Sequence, residues 1–205
     1  MLPYEAYLIL GPTGSGKTPL GDYIATQGLS GRRCVHFDFG ENLRTARSCG
    51  AHPPHLESAD IDTVARVLDE GSLLENREFR IALGIFHLFA NRTALAADDL
   101  VILNGIPRHT GQAEDVAGIL RVSRVVVLHC TPDVVRERIR LNTGGDRTER
   151  ADDSTPAIQR KLEIFNSRTQ PLIDYYRARH VEIYPVDVGV DTRPLEVYET
   201  LAASG

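Results

Sequence analysis

The feature that most constrains this chain is a glycine-rich octapeptide near its N-terminus, Gly11–Thr18, which reads GPTGSGKT. An apolar run, residues 5–10, precedes it, and residues 20–25 follow it with helical spacing, so the octapeptide joins a strand to a helix. Glycines let backbone N–H groups approach a phosphate chain closely, and a helix N-terminus adds positive potential. The spacing predicts a loop that cradles nucleotide phosphates, with Lys17 on the terminal phosphates and the Thr18 hydroxyl on Mg²⁺. A glycine-rich turn without a ligand is the alternative.

Composition limits the classes of protein to which the chain can belong. With 205 residues and 42% hydrophobic content, it can bury one sizeable core, which predicts a single domain. A net charge of -5 argues against a broad surface for nucleic acid or anionic membrane. The N-terminus lacks a basic segment with an apolar core, and no apolar run reaches membrane-spanning length, so we expect a soluble, cytoplasmic protein. The three cysteines, Cys34, Cys49 and Cys130, are typical of reduced thiols.

Predicted strands and helices alternate along the chain, which predicts a parallel sheet in an α/β fold. Thr131-Pro132-Asp133 starts a helix by its capping hydroxyl, first-turn proline and acid. The remaining helices are expected at 61–68, 75–91, 112–120, 155–167, 170–179 and 194–202, and the strands at 5–10, 33–37, 99–104, 124–129 and 181–186.

Charged residues follow the second predicted strand. Asp38, Glu41 and Arg44 come directly after it, where the ligand crevice of an open α/β sheet lies, so they are candidates to face the nucleotide. The alternative for Asp38 is capping of the next helix. Farther along, Arg138 falls beside apolar residues of its helix, which is unusual for a solvated arginine.

A polar, glycine-bearing loop follows that helix at residues 142–153 and contains Arg147 and Arg150. Two interpretations stay open. The loop is either a lid that closes its arginines over transferring phosphates, or an exposed turn with balanced charge.

Several segments, taken in order, resemble the adenylate kinase family of nucleoside monophosphate kinases. The resemblance spans nearly the whole chain and is to a set of motifs, which is more specific than any one of them. The matching segments are Gly11–Lys17, Gly40 with Leu43-Arg44, Gly71–Leu74, Gly105–Arg108 with Gln112, Arg150–Asp153 with Ile158 and Leu162, and Thr169–Tyr176.

The resemblance implies a P-loop NTPase three-layer α/β fold with a five-stranded parallel sheet. It divides a single domain into a core (1–39, 92–141 and 154–205), a helical monophosphate-binding insertion at about 40–91 and a short lid at about 142–153. This lid lacks the zinc-binding cysteines that some members carry, so no zinc is expected. ATP with Mg²⁺ and a nucleoside monophosphate are the implied ligands of a monomeric enzyme, with no nucleic acid or membrane partner.

The chemistry implied is in-line phosphoryl transfer, which requires two aligned anions and stabilisation of spread negative charge. By resemblance, Lys17, Arg138 and Arg150 surround the transferring group, and Arg147 is a second lid candidate. The implied ATP site is Gly11, Thr13, Gly14, Ser15, Gly16, Lys17, Thr18 and Arg138. The implied acceptor site is Asp38, Phe39, Arg44, Leu74, Gly105, Arg108, Gln112, Arg150 and Lys161, with Mg²⁺ on Thr18 and Asp38.

Departures from the family pattern keep the acceptor open. Asp38-Phe39-Gly40-Glu41 replaces the family's serine-threonine-glycine-aspartate, Asn104 replaces an acid, and Lys161 replaces an arginine. Pro19 also removes one N–H from the phosphate loop. AMP is the expected acceptor. One alternative is another nucleotide or a small hydroxyl compound activated by Asp38, and the other is a nucleotide-binding regulator with weakened catalysis.

Overall fold

Five parallel strands in the order β2-β3-β1-β4-β5 form the centre of the protein. The computed structural model describes residues 3–52, 54–146 and 154–204. The strands are β1 (Tyr4–Leu10), β2 (Cys34–Asp38), β3 (Leu100–Asn104), β4 (Leu120–His129) and β5 (Glu182–Asp187). This sheet confirms the fold class predicted from the sequence. Because the chain moves from β1 to one side of the sheet and later to the other, a crevice opens at the carboxyl end of β1.

Helices connect the strands and cover the sheet. They are α1 (Lys17–Gln27), α2 (Phe39–Cys49), α3 (Ser58–Glu70), α4 (Phe79–Thr93), α5 (Thr110–Val116), α6 (Pro132–Leu141), α7 (Thr155–Ile164), α8 (Leu172–Arg177) and α9 (Pro194–Ala203). A 3-10 turn (Asn76–Glu78) precedes α4, and a π-helical turn (Phe165–Thr169) joins α7 towards α8.

Alternate residues of each strand enter two hydrophobic cores, one on each face of the sheet. On β1, Ala6, Leu8 and Leu10 belong to the core beneath α2, α3, α4, α5 and α8. Ile9 belongs to the other core, which α1 and α9 cover. This alternation is the period of a strand whose two faces are both buried, and it produces the three layers.

The segment between β2 and β3 is helical throughout its described elements, α2, α3, the 3-10 turn and α4. Phe86 and Phe89 of α4 pack edge-on against Phe37 of β2, with ring centroids 5.3 and 4.8 Å apart. These aromatic contacts fasten the helical segment to the sheet beside the crevice. The predicted division into core, insertion and lid stays a prediction.

Two predicted helices have C-terminal ends that were wrong by more than two residues. The helix expected at 112–120 ends at Val116, because Gly118 turns the chain and Leu120 already pairs with Tyr4 as the start of β4. The helix expected at 155–167 is α-helical only to Ile164 and then widens into the π-helical turn. No helix in the described ranges is long and apolar enough to cross a membrane.

Candidate active site

The phosphate loop lies between β1 and α1, as its spacing predicts. Gly14 and Gly16 have φ of +78° and +94°, a left-handed conformation that glycine adopts without strain. A Cβ at Gly14 would come within 2.9 Å of the Ile139 side chain, so α6 packs directly on the loop. Since α1 begins at Lys17, the N–H groups of its first turn, which have no carbonyl within the helix, face the loop.

Two cationic side chains, those of Lys17 and Arg138, donate hydrogen bonds to backbone carbonyls of the phosphate loop. Lys17 folds back across it, and its Nζ donates to the carbonyl oxygens of Gly11 and Pro12 at 2.8 and 2.7 Å. Arg138, 4% exposed, donates from Nε to the Gly14 carbonyl at 3.0 Å. Its Nη1 donates to three further carbonyls, those of Gly189, Val190 and Thr192.

Burial lowers the pKa of the Arg138 guanidinium, and the carbonyl oxygens replace the lost water. Arg138 was predicted to surround the transferring group. The structure gives four backbone contacts to its Nε and Nη1 and places Nη2 near Gly16, where a Cβ would lie 3.0 Å away. The observed arrangement therefore ties the phosphate loop to the loop between β5 and α9.

A buried polar cluster lies at the mouth of the phosphate loop and consists of Thr18, Asp38 and Asn104. The Thr18 hydroxyl donates to Asp38 Oδ2 at 2.6 Å, and Asn104 Nδ2 donates to the same oxygen at 2.8 Å and to Thr18 Oγ1 at 3.1 Å. Asp38 Oδ1 accepts from the Glu41 N–H at 3.0 Å, which caps α2. Asp38 therefore caps α2, as one interpretation predicted, and its other oxygen contacts Thr18 of the phosphate loop. That Asp38 faces the nucleotide stays a prediction.

This cluster fits a hard divalent cation. Thr18 Oγ1 keeps one lone pair beyond the bond it accepts from Asn104, and Asp38 brings a carboxylate beside it. The described residues contain no group of three or more His, Cys, Asp or Glu that could hold a metal alone. Mg²⁺ is commonly held by one or two side chains together with substrate phosphates, whose charge it neutralises when bound. Thr18 and Asp38 are the residues that would hold it.

Arg108 follows β3 and lines the crevice. Its Nε donates to Thr169 Oγ1 at 3.4 Å, and the described residues provide no acceptor for its two terminal nitrogens and no carboxylate at ion-pair distance. Burial lowers the pKa of this guanidinium. A half-buried cation with no counterion among the described residues is typical of an anion-binding position.

Gln112 is committed to the protein backbone. Its Oε1 accepts from the Arg108 N–H at 2.8 Å and its Nε2 donates to the Leu74 carbonyl at 2.7 Å. His109 supports the same corner, because its Nδ1 accepts from the Gln112 N–H and caps α5. In this conformation Gln112 braces Arg108 and the backbone at Leu74.

The other predicted acceptor residues differ in accessibility. Arg44 is exposed and projects from α2 near Gly40, where a Cβ would lie 3.6 Å from its Nη1. Phe39, 5% exposed, directs its ring into the core beside Phe37 and contributes to the crevice wall near Gly105. Lys161 of α7 also lines the crevice.

The lid arginines Arg147 and Arg150 lie outside the described residues. The described start of that loop lies against the first turn of α1, since a Cβ at Gly144 would come within 2.9 Å of Pro19. Asp146 reaches the crevice from the same segment.

One crevice of about 210 Å³ joins these features. The phosphate loop and the Thr18 cluster line part of it. Arg44, Arg108 and the backbone from Gly71 to Leu74 line another part, the Arg44–Arg108 end. Val67, Leu68 and Leu43 add apolar surface there. The crevice thus has a phosphate cradle, a second cationic end and an apolar wall beside the latter.

The sequence is similar along most of its length to proteins named adenylate kinase. The one from Synechococcus sp. (strain WH7803) is 33% identical over 181 residues, covering 85% of this chain and 86% of the relative. The one from Deinococcus radiodurans is 31% identical over 206 residues, covering 96% and 94%.

The chain belongs to the adenylate kinase family. It is therefore a P-loop protein of the nucleoside monophosphate kinase family, whose relatives are ATP-dependent phosphotransferases. No family model matches the chain. Among solved structures, a gluconokinase from Sinorhizobium meliloti 1021 aligns with a TM-score of 0.53 at 20% identity, covering 98% of this chain and 91% of that one. At that identity the likeness shows the fold alone.

The sequence did not predict Thr169 as a site residue, although Thr169 begins a segment that resembles the family, and it did not predict the direct contact between Asn104 and Asp38. Asp38 and Asn104 are the last residues of two strands that lie side by side in the sheet, where they form a pair in the β2–β3 register. Their positions at the strand ends were the one sequence feature that could have predicted the contact. Nothing in the sequence marks the π-helical turn that brings Thr169 to Arg108.

Proposed function

We propose that this adenylate kinase family member transfers the terminal phosphoryl group of ATP to a nucleoside monophosphate, with AMP as the acceptor. The observation that carries the proposal is the crevice with two separate positions for anions, the phosphate loop and the Arg44–Arg108 end. Two anionic substrates of one in-line transfer require such a pair of positions.

In this reaction the bond between the γ-phosphorus and the β,γ-bridging oxygen of ATP breaks, and a new bond forms between that phosphorus and a phosphate oxygen of the acceptor. ADP leaves from the phosphate loop and a nucleoside diphosphate leaves from the acceptor end. No proton needs to be removed, because the acceptor phosphate is already ionised at neutral pH. The task of the protein is alignment and charge stabilisation, for which Lys17 and Arg108 are proposed.

The contacts of Asp38 favour a phosphate acceptor over a hydroxyl acceptor. A hydroxyl needs a general base with an oxygen directed at its proton. Asp38 Oδ2 already accepts from Thr18 and Asn104, and Oδ1 accepts from the Glu41 N–H. Asp38 is better suited to orient Thr18 and a Mg²⁺ ion than to accept a substrate proton.

The test is a coupled assay of ADP formation from ATP and Mg²⁺ with AMP, GMP, CMP and UMP, and with gluconate as a hydroxyl acceptor. Chromatography of the products identifies the phosphorylated acceptor. We expect turnover with AMP and none with gluconate. Tight ATP binding with no turnover on any monophosphate would contradict the proposal and favour a regulator.

Arg108→Ala tests the acceptor end separately. An arginine at a phosphoryl-transfer site contributes on the order of 10³–10⁵ in kcat, so a loss of at least about a thousandfold is expected. Near-normal turnover with the preferred monophosphate would overturn the role of Arg108.

A further inference from the structure

We infer that Thr169, on the π-helical turn, is a positioning residue that holds the Arg108 guanidinium ready for the acceptor phosphate. The inference rests on the proposed function, in which Arg108 binds that phosphate. Thr169 was not among the site residues predicted from the sequence, and it does not line the described crevice.

Thr169 holds Arg108 at two points. Its hydroxyl donates to the Arg108 carbonyl at 2.9 Å and accepts from the Arg108 Nε at 3.4 Å. Thr169 is 2% exposed, so water does not compete for either bond. With the carbonyl and Nε both held, the guanidinium is oriented, and its two terminal nitrogens take no part in either bond.

The benefit is preorganisation. An arginine side chain loses rotamer entropy when it is fixed, and a side chain fixed before the substrate arrives does not lose it at binding. Nε is the guanidinium nitrogen nearest the aliphatic chain. A contact there sets the plane of the group and leaves the outer fork for bidentate recognition of phosphate.

The π-helical turn is what brings Thr169 to this position. The Gln170 N–H donates to the Phe165 carbonyl, five residues earlier, at 2.8 Å, so this turn holds one more residue than an α-helical turn. The extra residue changes which side chain of the turn faces Arg108. The neighbouring Arg168 makes a bidentate ion pair with Glu75 at 3.1 and 3.2 Å. The turn is therefore fastened to the helical segment that carries the acceptor end.

The experiment compares Thr169→Val, which keeps the shape and removes both hydrogen bonds, with Thr169→Ser, which keeps the hydroxyl. Thr93→Val is the matched control, since the Thr93 hydroxyl also donates to a backbone carbonyl, that of Phe89 at 2.9 Å, away from the crevice. The readouts are kcat and the KM of each substrate with ATP and AMP, and the Kd of AMP by calorimetry.

We expect Thr169→Val to lower kcat/KM for AMP by about tenfold or more and to weaken AMP binding, because a hydrogen bond to a charged group is lost. In Thr169→Val the KM of ATP should stay within about twofold of the parent value. The kcat/KM for AMP should stay within about threefold of the parent in Thr169→Ser and should equal the parent value in Thr93→Val. In an Arg108→Ala background, Thr169→Val should add less than about twofold, since residues that act as a unit are not additive.

Three results would overturn the inference: unchanged AMP kinetics in Thr169→Val, a serine variant as impaired as the valine variant, or the full loss persisting without Arg108. If Thr169→Val does not fold, Thr169→Cys is subjected to the same comparisons. Normal AMP kinetics in Arg108→Ala would instead overturn the proposed role of Arg108. A severe Arg108→Ala defect beside a normal Thr169→Val variant would overturn only the positioning role.

Discussion

Replacing Asp38 by asparagine tests whether the carboxylate of the Thr18 cluster supports Mg²⁺. Asn104 stands where the family pattern has an acid, and Asp38 is its cross-strand partner in the β2–β3 register. The two side chains are 2.8 Å apart and share Thr18. The arrangement places the acid on β2 and the amide on β3, so the single negative charge of the cluster is on Asp38.

The expected size of the effect comes from these contacts. A hydrogen bond to a charged group contributes about 1.5–3 kcal/mol, and one between neutral groups about 0.5–1.5 kcal/mol. In Asp38→Asn the 2.6 Å hydrogen bond that Thr18 donates would go to a neutral amide oxygen instead of a charged carboxylate oxygen. The difference is about 1–1.5 kcal/mol, or close to tenfold in an equilibrium constant, before the lost attraction for the cation is counted. The weaker bond holds the Thr18 oxygen less firmly for the cation, and a neutral side chain at position 38 no longer attracts it. We therefore expect Asp38→Asn to raise the free Mg²⁺ concentration for half-maximal rate by at least about tenfold.

Calorimetry supplies a readout independent of turnover. ATP is titrated into the protein with Mg²⁺ and with EDTA, and the ratio of the two affinities should fall in Asp38→Asn while the affinity in EDTA is unchanged or higher. The exchanged variant Asp38→Asn/Asn104→Asp returns one carboxylate to the cluster on the neighbouring strand and should recover most of the ratio. An Asp38→Asn protein with the parent's Mg²⁺ dependence in both measurements would refute the reasoning.

Three further predictions concern stability and reactivity. In the native protein the exposed Cys49 should react with a thiol reagent at pH 8. Burial raises the pKa of Cys34 to about 11, so Cys34 should react only on unfolding. Equal reaction rates of the two thiols, followed by mass spectrometry, would contradict this. Hydrogen bonding from Arg168 lowers the pKa of Glu75, so their ion pair contributes stability that is full above the unfolded pKa of about 4.3 and is lost as the pH falls through the lower folded value. At pH 7 the unfolding free energies of the parent and Arg168→Gln should differ by a few tenths to about 1 kcal/mol, because the pair is half-exposed. This difference should disappear at low pH, and a difference that grows there would contradict the assignment. Arg138→Met should lower the free energy of unfolding, measured in urea, by at least about 3 kcal/mol, because four backbone carbonyls lose their donor. A decrease below about 1 kcal/mol would show that water replaces the guanidinium.

Much of the fold follows from local patterns in the sequence. The alternation of apolar strands with helices predicts the parallel sheet, and the octapeptide predicts the strand, loop and helix around Lys17, because both depend on residues close together in the chain. Boundaries were less predictable where a long-range contact decided them. Leu120 continues the apolar spacing of α5, yet its pairing with Tyr4 places it in β4.

For the candidate site, the sequence marked most residues but not their partners. Arg138 and Arg108 both looked like phosphate ligands, and the structure distinguishes them: carbonyl oxygens surround Nε and Nη1 of the first, while the described residues leave the terminal nitrogens of the second without an acceptor. No spacing rule encodes that difference, because three of the carbonyls come from a loop about fifty residues away and the fourth from the phosphate loop.

The sequence by itself determined the phosphate loop, the α/β class and the family, since each depends on residue types at fixed short separations. Tertiary structure alone decided that Asp38, Asn104 and Thr18 form one cluster and that a widened helical turn carries Thr169 to Arg108. Those contacts join residues 20 to 86 positions apart. Only the packing of the sheet and its helices brings them within hydrogen-bond distance.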